Sequence, residues 1–424
     1  MAKQPVMELI LQLAAILLLS KLFGLFMRKL GLPEVVGSVF AGLILGNAIW
    51  GLFLPETNFI FPIKGSDELA LFSKIGVLLI LFKAGLETDV NQIKSLGIKA
   101  LLVAMGGVLL PLGLGFLLGL VMLPNETWHT WLFIGTIMTA TSVGITVETL
   151  KSLGKYNTKI GSIITSAAII DDVLGMIVLT VVMSIEGGAE DQNAVLKLIN
   201  PHAYPIITIL WMFVFFIVAI AFGYLIVKFF NHINKVKPNV HRVPIYSLVI
   251  CFLYAYVAEE VFGVADITGA YIGGAILSLC HNTAIYADKK LDVGSYTFFT
   301  PVFFAYIGIQ ISFQSFTANV IIISVLFVII AILGKIVGCG GVALLTGENL
   351  KDSTRVGVGM IARGEVALAV TTTGISAGLI ANEYISMTVL LVLVSSILAP
   401  ILLKALYKGE EGHPPVAEAE GNYE

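Results

Sequence analysis

Two adjacent carboxylic acids, Asp171 and Asp172, interrupt the otherwise apolar stretch SAAIIDDVLGMIVL at residues 166–179. The surrounding residues predict a membrane-spanning helix over 160–184, in which the two acids lie near the bilayer centre. A charge at that depth costs at least about 2.5–3.5 kcal/mol, which makes an intramembrane acid a candidate functional residue. A carboxylate there can hold a proton or a small cation, but not both comfortably.

The two acids face different surroundings, because neighbouring residues on an α-helix point about 100° apart. They therefore do not chelate an ion as one unit. The alternative is a structural hydrogen-bonded pair, but two adjacent central acids are a costly way to fix packing.

A basic partner at similar depth is Lys335, which lies in IIAILGKIVGCGG within a span predicted over 317–346. A buried Lys close to a carboxylate can stay charged, or can lose its proton when that carboxylate is neutralised. The alternative is that the side chain extends to the membrane interface. The distance of Lys335 from both ends of its span favours pairing with an acid.

A polar cluster lies near the middle of the span predicted over 129–150. Thr139, Thr141 and Ser142 come just before Gly144. A membrane helix can unwind at such a centre if the break lines a cavity and not lipid. The carbonyl and hydroxyl oxygens of the break would suit a hard cation. The alternative is helix–helix packing through Ser and Thr.

A second polar centre lies in the span predicted over 355–379, where Arg363, Gly364 and Glu365 precede the run Thr371–Thr373. The two centres occur at corresponding positions of two sequence halves, and this coincidence favours unwinding in both helices. Arg363 and Glu365 could also neutralise each other as a structural ion pair in the core.

The composition requires a membrane protein. Of the 424 residues 57% are hydrophobic and 12% are charged, whereas soluble domains carry about 25% charged residues. The net charge of −3 gives no reason to expect a nucleic-acid partner. The cysteines are scattered and predict neither a disulfide framework nor a metal site.

Thirteen spans are predicted, near 7–28, 34–53, 69–87, 97–122, 129–150, 160–184, 204–230, 243–262, 266–281, 296–313, 317–346, 355–379 and 384–407.

The loop charges predict the orientation of this bundle. With the N-terminus outside, seventeen Lys and Arg residues fall in cytoplasmic segments and three in external ones. Positively charged loops face the cytoplasm, so the N-terminus is predicted outside and the C-terminus inside. The acidic tail at 408–424 is predicted to be disordered and cytoplasmic.

An internal repeat links the two halves of the chain. GLPEVVGSVFAGLIL at 31–45 aligns with GVADITGAYIGGAIL at 263–277, with matching glycines and with Glu34 opposite Asp266. By order, spans 1–6 pair with spans 8–13. Each span is therefore separated from its partner by seven crossings of the membrane. Because seven is an odd number, the two halves must have opposite orientations in the membrane. Inverted repeats with broken helices are typical of secondary transporters. The alternative is chance similarity between Gly-rich membrane helices.

The order of four motifs resembles the monovalent cation:proton antiporters, and most closely their second group, which contains bacterial sodium/proton exchangers. The motifs are TATSVGIT (139–146), AAIIDDVLGMIVL (167–179), GKIVG (334–338) and ARGEVALA (362–369). This resemblance implies that Asp172 binds Na⁺ or the proton, and that Asp171 pairs with Lys335. It also implies electrogenic exchange, because the first acid is Asp and not Asn.

The resemblance further implies a homodimer in the bacterial inner membrane that uses no cofactor. The antiporter domain would cover residues 1–407, with broken crossing helices in a core of 97–184 and 317–407. That core would move by an elevator-type mechanism against a dimerisation part of 1–90 and 204–313.

We therefore expect a secondary-active antiporter that exchanges Na⁺ or Li⁺ for protons. Its other expected partner is the surrounding membrane lipid. Asp172, Asp171, Thr141 and Ser142 are the candidate cation and proton ligands. K⁺/H⁺ antiport and electroneutral Na⁺/H⁺ exchange are the alternatives. A proton-coupled solute symporter or a channel is a less favoured alternative. A symporter would need a pocket for an organic substrate, and no group of aromatic or charged residues specifies one. An enzymatic role is not expected.

Overall fold

The protein is helical throughout the part that the computed structural model describes, which is residues 5–29, 34–46, 63, 65–88, 98–156, 158–186, 205–236, 242–311 and 318–408. These residues form sixteen α-helices and no strand. Seven of the helices are long and apolar enough to cross a membrane. The predicted class, an all-α integral membrane protein, is confirmed.

The first eight helices are α1 (Pro5–Lys29), α2 (Glu34–Leu45), α3 (Asp67–Glu87), α4 (Ile98–Met122), α5 (Trp128–Thr139), α6 (Val143–Ser152), α7 (Lys159–Glu186) and α8 (Pro205–Val236). The last eight are α9 (Val243–Tyr256), α10 (Asp266–Ser278), α11 (His281–Gly294), α12 (Thr300–Gln310), α13 (Ala318–Leu345), α14 (Leu350–Gly359), α15 (Glu365–Ser376) and α16 (Ile385–Tyr407). Two π-helical turns, Val257–Val261 and Ser295–Phe299, follow α9 and α11.

Two of the predicted spans are broken. The span predicted over 129–150 is split into α5 and α6, and the span predicted over 355–379 is split into α14 and α15. Helix α11 was not predicted, because it is too polar to resemble a membrane span. The predicted disordered tail falls, from residue 409 onward, outside the described residues.

The helices pack as two groups. In one group α4 and α13 cross at the centre, α5 and α7 pack on α4, and α14 and α16 pack on α13. In the other group α10 packs on α3, α12 packs on α2 and α3, and α1 and α9 lie outside them. Helix α15 belongs to the first group, because it packs on α5 and α16, and α8 belongs to the second, because it packs on α10. The groups meet along a seam where α7 contacts α8 and α15 contacts α3.

Glycines set the closest helix crossings. A Cβ atom on Gly42 would collide with the carbonyl of Ala305, so α2 and α12 touch through their backbones. A Cβ atom on Gly274 would collide in the same way with the carbonyl of Phe82, where α10 meets α3. Small residues allow this approach, on which membrane helices depend because lipid supplies no hydrophobic driving force between them.

One end of the first group is tied by a three-residue ion cluster. Glu348, between α13 and α14, accepts from Lys99 at the start of α4 at 2.6 Å and from Lys159 at the start of α7 at 2.9 Å. Glu348 is only 7% exposed. These two hydrogen bonds, that from Lys159 first, lower the pKa of the Glu348 carboxyl below its ordinary 4.5.

Replacing Glu348 with Gln removes both ion pairs, and we expect the free energy of unfolding to fall by about 1 kcal/mol at neutral pH. Because its folded-state pKa is lowered, the stabilisation is present above the ordinary pKa and is lost as the pH falls through the folded-state value. The melting temperatures of wild type and E348Q should therefore differ most near neutral pH and converge below pH 4.5. E383Q, which neutralises an exposed acid, is the control. A difference between wild type and E348Q that does not change with pH would contradict this assignment.

Candidate functional site

The two helix breaks lie against each other. Residues 140–142 separate α5 from α6, and residues 360–364 separate α14 from α15. The amide of Ser142 donates to the carbonyl of Ala362 at 2.8 Å, and the hydroxyl of Thr146 donates to the carbonyl of Gly359 at 2.8 Å. The extended segments thus supply hydrogen bonds that a membrane interior cannot.

Arg363 satisfies the carbonyl ends of both interrupted helices. Its guanidinium, which is fully buried, donates to the carbonyl of Met138 at 2.6 Å and to that of Met360 at 3.4 Å. It also donates to the hydroxyl of Thr141 at 3.1 Å. Helix C-termini carry a partial negative charge, so a cation at this point offsets the charge of α5 and of α14 together.

The ion pair between Arg363 and Glu365 that the sequence left open as an alternative is not formed among the described residues. Residues two positions apart do not face each other on a helix, and Glu365 is already the first residue of α15. The guanidinium instead turns toward the helix ends. Glu365 is half-buried at the N-terminus of α15.

Asp171 and Lys335 form the predicted buried pair. The Nζ atom of Lys335 lies 2.6 Å from Oδ1 of Asp171, and both side chains are completely shielded from solvent. The pair is framed by Gly107 of α4, where a Cβ atom would lie 3.4 Å from the Nζ atom and 3.5 Å from the Oδ1 atom. That Cβ atom would be in ordinary contact with the pair but would collide with the Sγ atom of Cys339, so the glycine leaves room for Cys339 where α4 meets α13.

Asp172 lies one turn before Met176 and so on the same face of α7, which is about 100° from the face of Asp171. One turn further along α7, Met176 contacts the hydroxyl of Thr268 in α10 at 3.8 Å, and Thr180 donates to the same hydroxyl at 3.5 Å. The Oδ1 atom of Asp172 is buried and has no hydrogen-bond partner among the described residues. A buried carboxylate oxygen without a partner is costly unless a proton or a cation can occupy it.

Thr141 and Ser142 lie in the break, as their sequence position predicted, but neither forms a hydrogen bond to Asp172 within the described residues. Thr141 accepts from Arg363, and the amide of Ser142 is bonded across the break. The oxygen of Ser142 lies beside Gly364, where an added Cβ atom would approach it to 2.9 Å. Gly364 thus keeps the two breaks in close contact.

A cavity of about 600 Å³ opens along the seam. Its walls include Met183 of α7 and Thr372 of α15 on one side, and a charged cluster on the other. In that cluster Lys74 lies 3.2 Å from Asp266 and 3.4 Å from Glu259. This cluster was not predicted from the sequence, although Asp266 aligns with Glu34 in the internal repeat.

Comparison with known families agrees with this architecture. Residues 14–409 match the family described as "Sodium/hydrogen exchanger, transmembrane". The chain is similar in fold to the sodium proton antiporter MjNhaP1 from Methanocaldococcus jannaschii, with a TM-score of 0.66 at 19% identity, covering 96% of this chain and 98% of that one.

Individual relatives match over nearly their whole length. The chain is 35% identical to the Na(+)/H(+)-K(+) antiporter GerN of Bacillus cereus over 408 residues, which are 95% of this chain and 97% of GerN. It is 32% identical to the Na(+)/H(+) antiporter of Enterococcus hirae, covering 95% of this chain and 99% of that protein.

Proposed function

The chain belongs to the sodium/hydrogen exchanger family, whose members are transporters and not enzymes, and we propose that it exchanges Na⁺ or Li⁺ for protons. The observation that carries this proposal is the buried, unpartnered Oδ1 atom of Asp172 in α7, a helix that packs on α5, α6 and α14, which flank the two breaks. One carboxylate that holds either ion couples the two opposite fluxes through competition. Thr141, Ser142 and the broken backbone would complete the cation's oxygen ligands.

K⁺ is the second candidate cation, because the relative from Bacillus cereus is a Na(+)/H(+)-K(+) antiporter by name. A carboxylate with a few hydroxyl and carbonyl oxygens forms a compact hard-ligand site. We therefore favour Na⁺ and Li⁺ over the larger ion.

We further propose thirteen spans in two inverted repeats, with the N-terminus outside. The paired glycine contacts support the repeat, since Gly42 in α2 and its aligned partner Gly274 in α10 both pack on a neighbouring helix backbone. The core of 97–184 and 317–407 would move against 1–90 and 204–313 in a homodimer of the bacterial inner membrane. The packing of the helices in two groups supports this division.

Replacing Asp172 with Asn should abolish exchange, because the amide cannot alternate between a proton and a cation. The measurement is proton flux in proteoliposomes, with Na⁺, Li⁺ and K⁺ imposed in turn; Na⁺ and Li⁺ should dissipate a proton gradient more effectively than K⁺. E383Q is the matched control, and size-exclusion chromatography verifies the fold. Wild-type flux in D172N would rule out Asp172 as the carrier, and a K⁺ preference would favour the second candidate.

A cross-link between the two helix groups across the seam should stop the proposed elevator-type movement of the core, and with it exchange. Thr180 and Thr268, whose hydroxyls are 3.5 Å apart, belong to the two groups. After replacement of the native cysteines, oxidation of T180C/T268C should stop exchange and a reductant should restore it. The control is T371C/T388C, whose parent hydroxyls are 2.9 Å apart within one group. Exchange that continues in fully cross-linked T180C/T268C would contradict the movement.

The charge moved in each cycle depends on Lys335. If Lys335 leaves Asp171 and loses its proton when Asp172 binds a cation, two protons cross for each cation and the cycle is electrogenic. If it stays protonated, one proton exchanges for one cation and the cycle is electroneutral. Arg363 already occupies the carbonyl ends of the broken helices, so Lys335 is not needed there. This arrangement favours the electrogenic cycle.

An imposed membrane potential should therefore change the rate and the reversal point of Na⁺/H⁺ exchange. The potential is set across proteoliposomes with K⁺ and valinomycin, after K⁺ itself has been shown not to be transported. Liposomes without protein control for leak. Exchange that ignores the potential would make the cycle electroneutral and Lys335 a structural brace.

A further inference from the structure

One wall of the cavity in the seam has more negative than positive charge. Among the described residues, the charged groups of this wall are Asp67, Lys74, Glu259, Glu260 and Asp266. They lie in α3, in α10 and in the π-helical turn after α9, and π-helical turns are frequent at functional sites. A cleft lined mainly by one sign of charge raises the local concentration of the opposite ion. The wall is thus suited to attract cations into the seam.

Lys74 is the counter-ion of this wall, but the wall holds it loosely. Its Nζ atom lies 3.5 and 3.4 Å from the two carboxylate oxygens of Glu259 and 3.2 Å from the Oδ2 atom of Asp266. Strong hydrogen bonds between an ammonium group and a carboxylate are about 2.7–2.9 Å long. The contact of Lys335 with Asp171 is tighter still, at 2.6 Å. The side chain of Lys74 is 52% exposed, so its ammonium group can leave the two acids without a large rearrangement.

Asp266 presents an unsatisfied oxygen atom to the cavity. The residue is only 7% exposed. Its Oδ1 atom accepts from the amide of Ile267 at 2.8 Å, whereas its Oδ2 atom is buried and has no hydrogen-bond partner among the described residues. Lys74 lies within ion-pair distance of this Oδ2 atom but donates no hydrogen bond to it. A buried carboxylate oxygen without a hydrogen bond is costly, and a small cation in place of the ammonium group would remove that cost.

The internal repeat supplies a comparison within the same molecule. Glu34, which aligns with Asp266, also begins a helix, but it does not line the cavity. Both of its carboxylate oxygens have cationic partners, since Oε1 lies 3.1 Å from Arg28 and Oε2 lies 3.4 Å from Lys21. At Glu34 two bases therefore contact one acid, whereas at Asp266 the acids outnumber the one contacting base. This difference distinguishes the cavity end from its counterpart in the repeat.

We propose that Asp266 is a loading site for the transported monovalent cation, and that Lys74 is a tethered ammonium group which the entering cation displaces from it. This inference rests on the proposed function, because it concerns how the cation enters and not which group exchanges it for a proton. Asp172 remains the carrier. Lys74 sets the apparent affinity for the cation, since it competes for the same oxygen atom and reduces the negative charge of the wall.

The first test is the Na⁺ dependence of exchange in proteoliposomes at constant ionic strength. K74Q should lower the KM for Na⁺ and D266N should raise it, each by about two- to fivefold, the size expected for a partly exposed ion pair. The maximal rate at saturating Na⁺ should change much less, because Asp172 is intact. K74R keeps the charge and should lie closer to the wild type than K74Q does. A KM that is unchanged or raised in K74Q would overturn the proposal, as would an unchanged KM in D266N.

The double variant K74Q/D266N separates one shared site from two independent charge effects. If Lys74 acts by occupying Asp266, K74Q should lower the KM less in the D266N background than in the wild type. K21Q is the control for K74Q, because Lys21 is paired with Glu34 at the corresponding position of the other repeat. E260Q is the control for D266N, because Glu260 lines the same cavity but is not among the acids in contact with Lys74 in the described residues. Additive effects in the double variant, or equal KM shifts in the controls, would contradict the proposed competition.

Acylation of Lys74 gives a readout that does not depend on turnover. An ammonium group held between carboxylates stays protonated and reacts slowly with an amine-acylating reagent, whereas a displaced amine reacts faster. Na⁺ should therefore raise the labelling of Lys74 in the purified wild-type protein, measured by mass spectrometry, above that in choline chloride of the same ionic strength. The bulky choline cation cannot approach a carboxylate oxygen as closely as Na⁺ does. Lys21 is the internal control, and its labelling should be equal in the two salts.

Equal labelling of Lys74 in the two salts would overturn the proposal. Because this measurement uses the wild type, it decides the question even if one of the variants fails to fold. Exchange that persists in D172N would instead refute the proposed function, which is a separate outcome.

Discussion

The backbone polar groups of two broken helices must be satisfied inside a membrane, and the rest of the site depends on how this is done. Lipid offers no hydrogen bonds, so a break survives only where protein supplies them. Here each extended segment bonds to the other, and the guanidinium of Arg363 joins the carbonyls of Met138 and Met360. One buried cation therefore stabilises both interrupted helices. The crossing is a fixed frame, around which the acids of α7 are arranged.

Two acids that are adjacent in sequence are separated in function by the geometry of the helix. Asp171 turns inward to Lys335 between α4 and α13, whereas Asp172 lies on the face of α7 from which Met176 contacts α10. Neutralising one partner of a buried ion pair is costly, because the charge of the other partner is left buried and uncompensated. In the proposed cycle this cost couples the protonation of Lys335 to the binding of a cation or proton at Asp172, because Asp171 pairs with Lys335 and adjoins Asp172.

Among the described residues, the two groups contact each other only sparsely along the seam. Within each group, glycines bring backbones into contact, as at Gly42 and Gly274. Across the seam, Thr180 of α7 donates a long hydrogen bond of 3.5 Å to Thr268 of α10, and Thr268 donates a weak one of 3.8 Å to the sulfur atom of Met176. A cavity follows the same boundary. Sparse contacts of this kind suit two bodies that slide, since few bonds have to be exchanged when they move.

Much of this protein can be predicted from sequence alone, because a membrane imposes local rules. Each span must be apolar, and a charge within a span is expensive, so Asp171, Asp172 and Lys335 stand out in the sequence. The polar centres near Thr141 and Arg363 indicated the two breaks for the same reason. Helix α11 was missed because a polar helix gives no such signal.

The partners of the polar groups were decided only by the tertiary structure. Sequence proximity left open an ion pair between Arg363 and Glu365, yet the guanidinium of Arg363 bonds to the carbonyl of Met138, 225 positions away. Every residue has a carbonyl, so no side-chain pattern marks which carbonyl will be left free by a break. The cavity and the Lys74 cluster likewise exist only where distant helices meet. Local sequence determines which residues are costly to bury, whereas the packing of the whole chain determines which groups offset that cost.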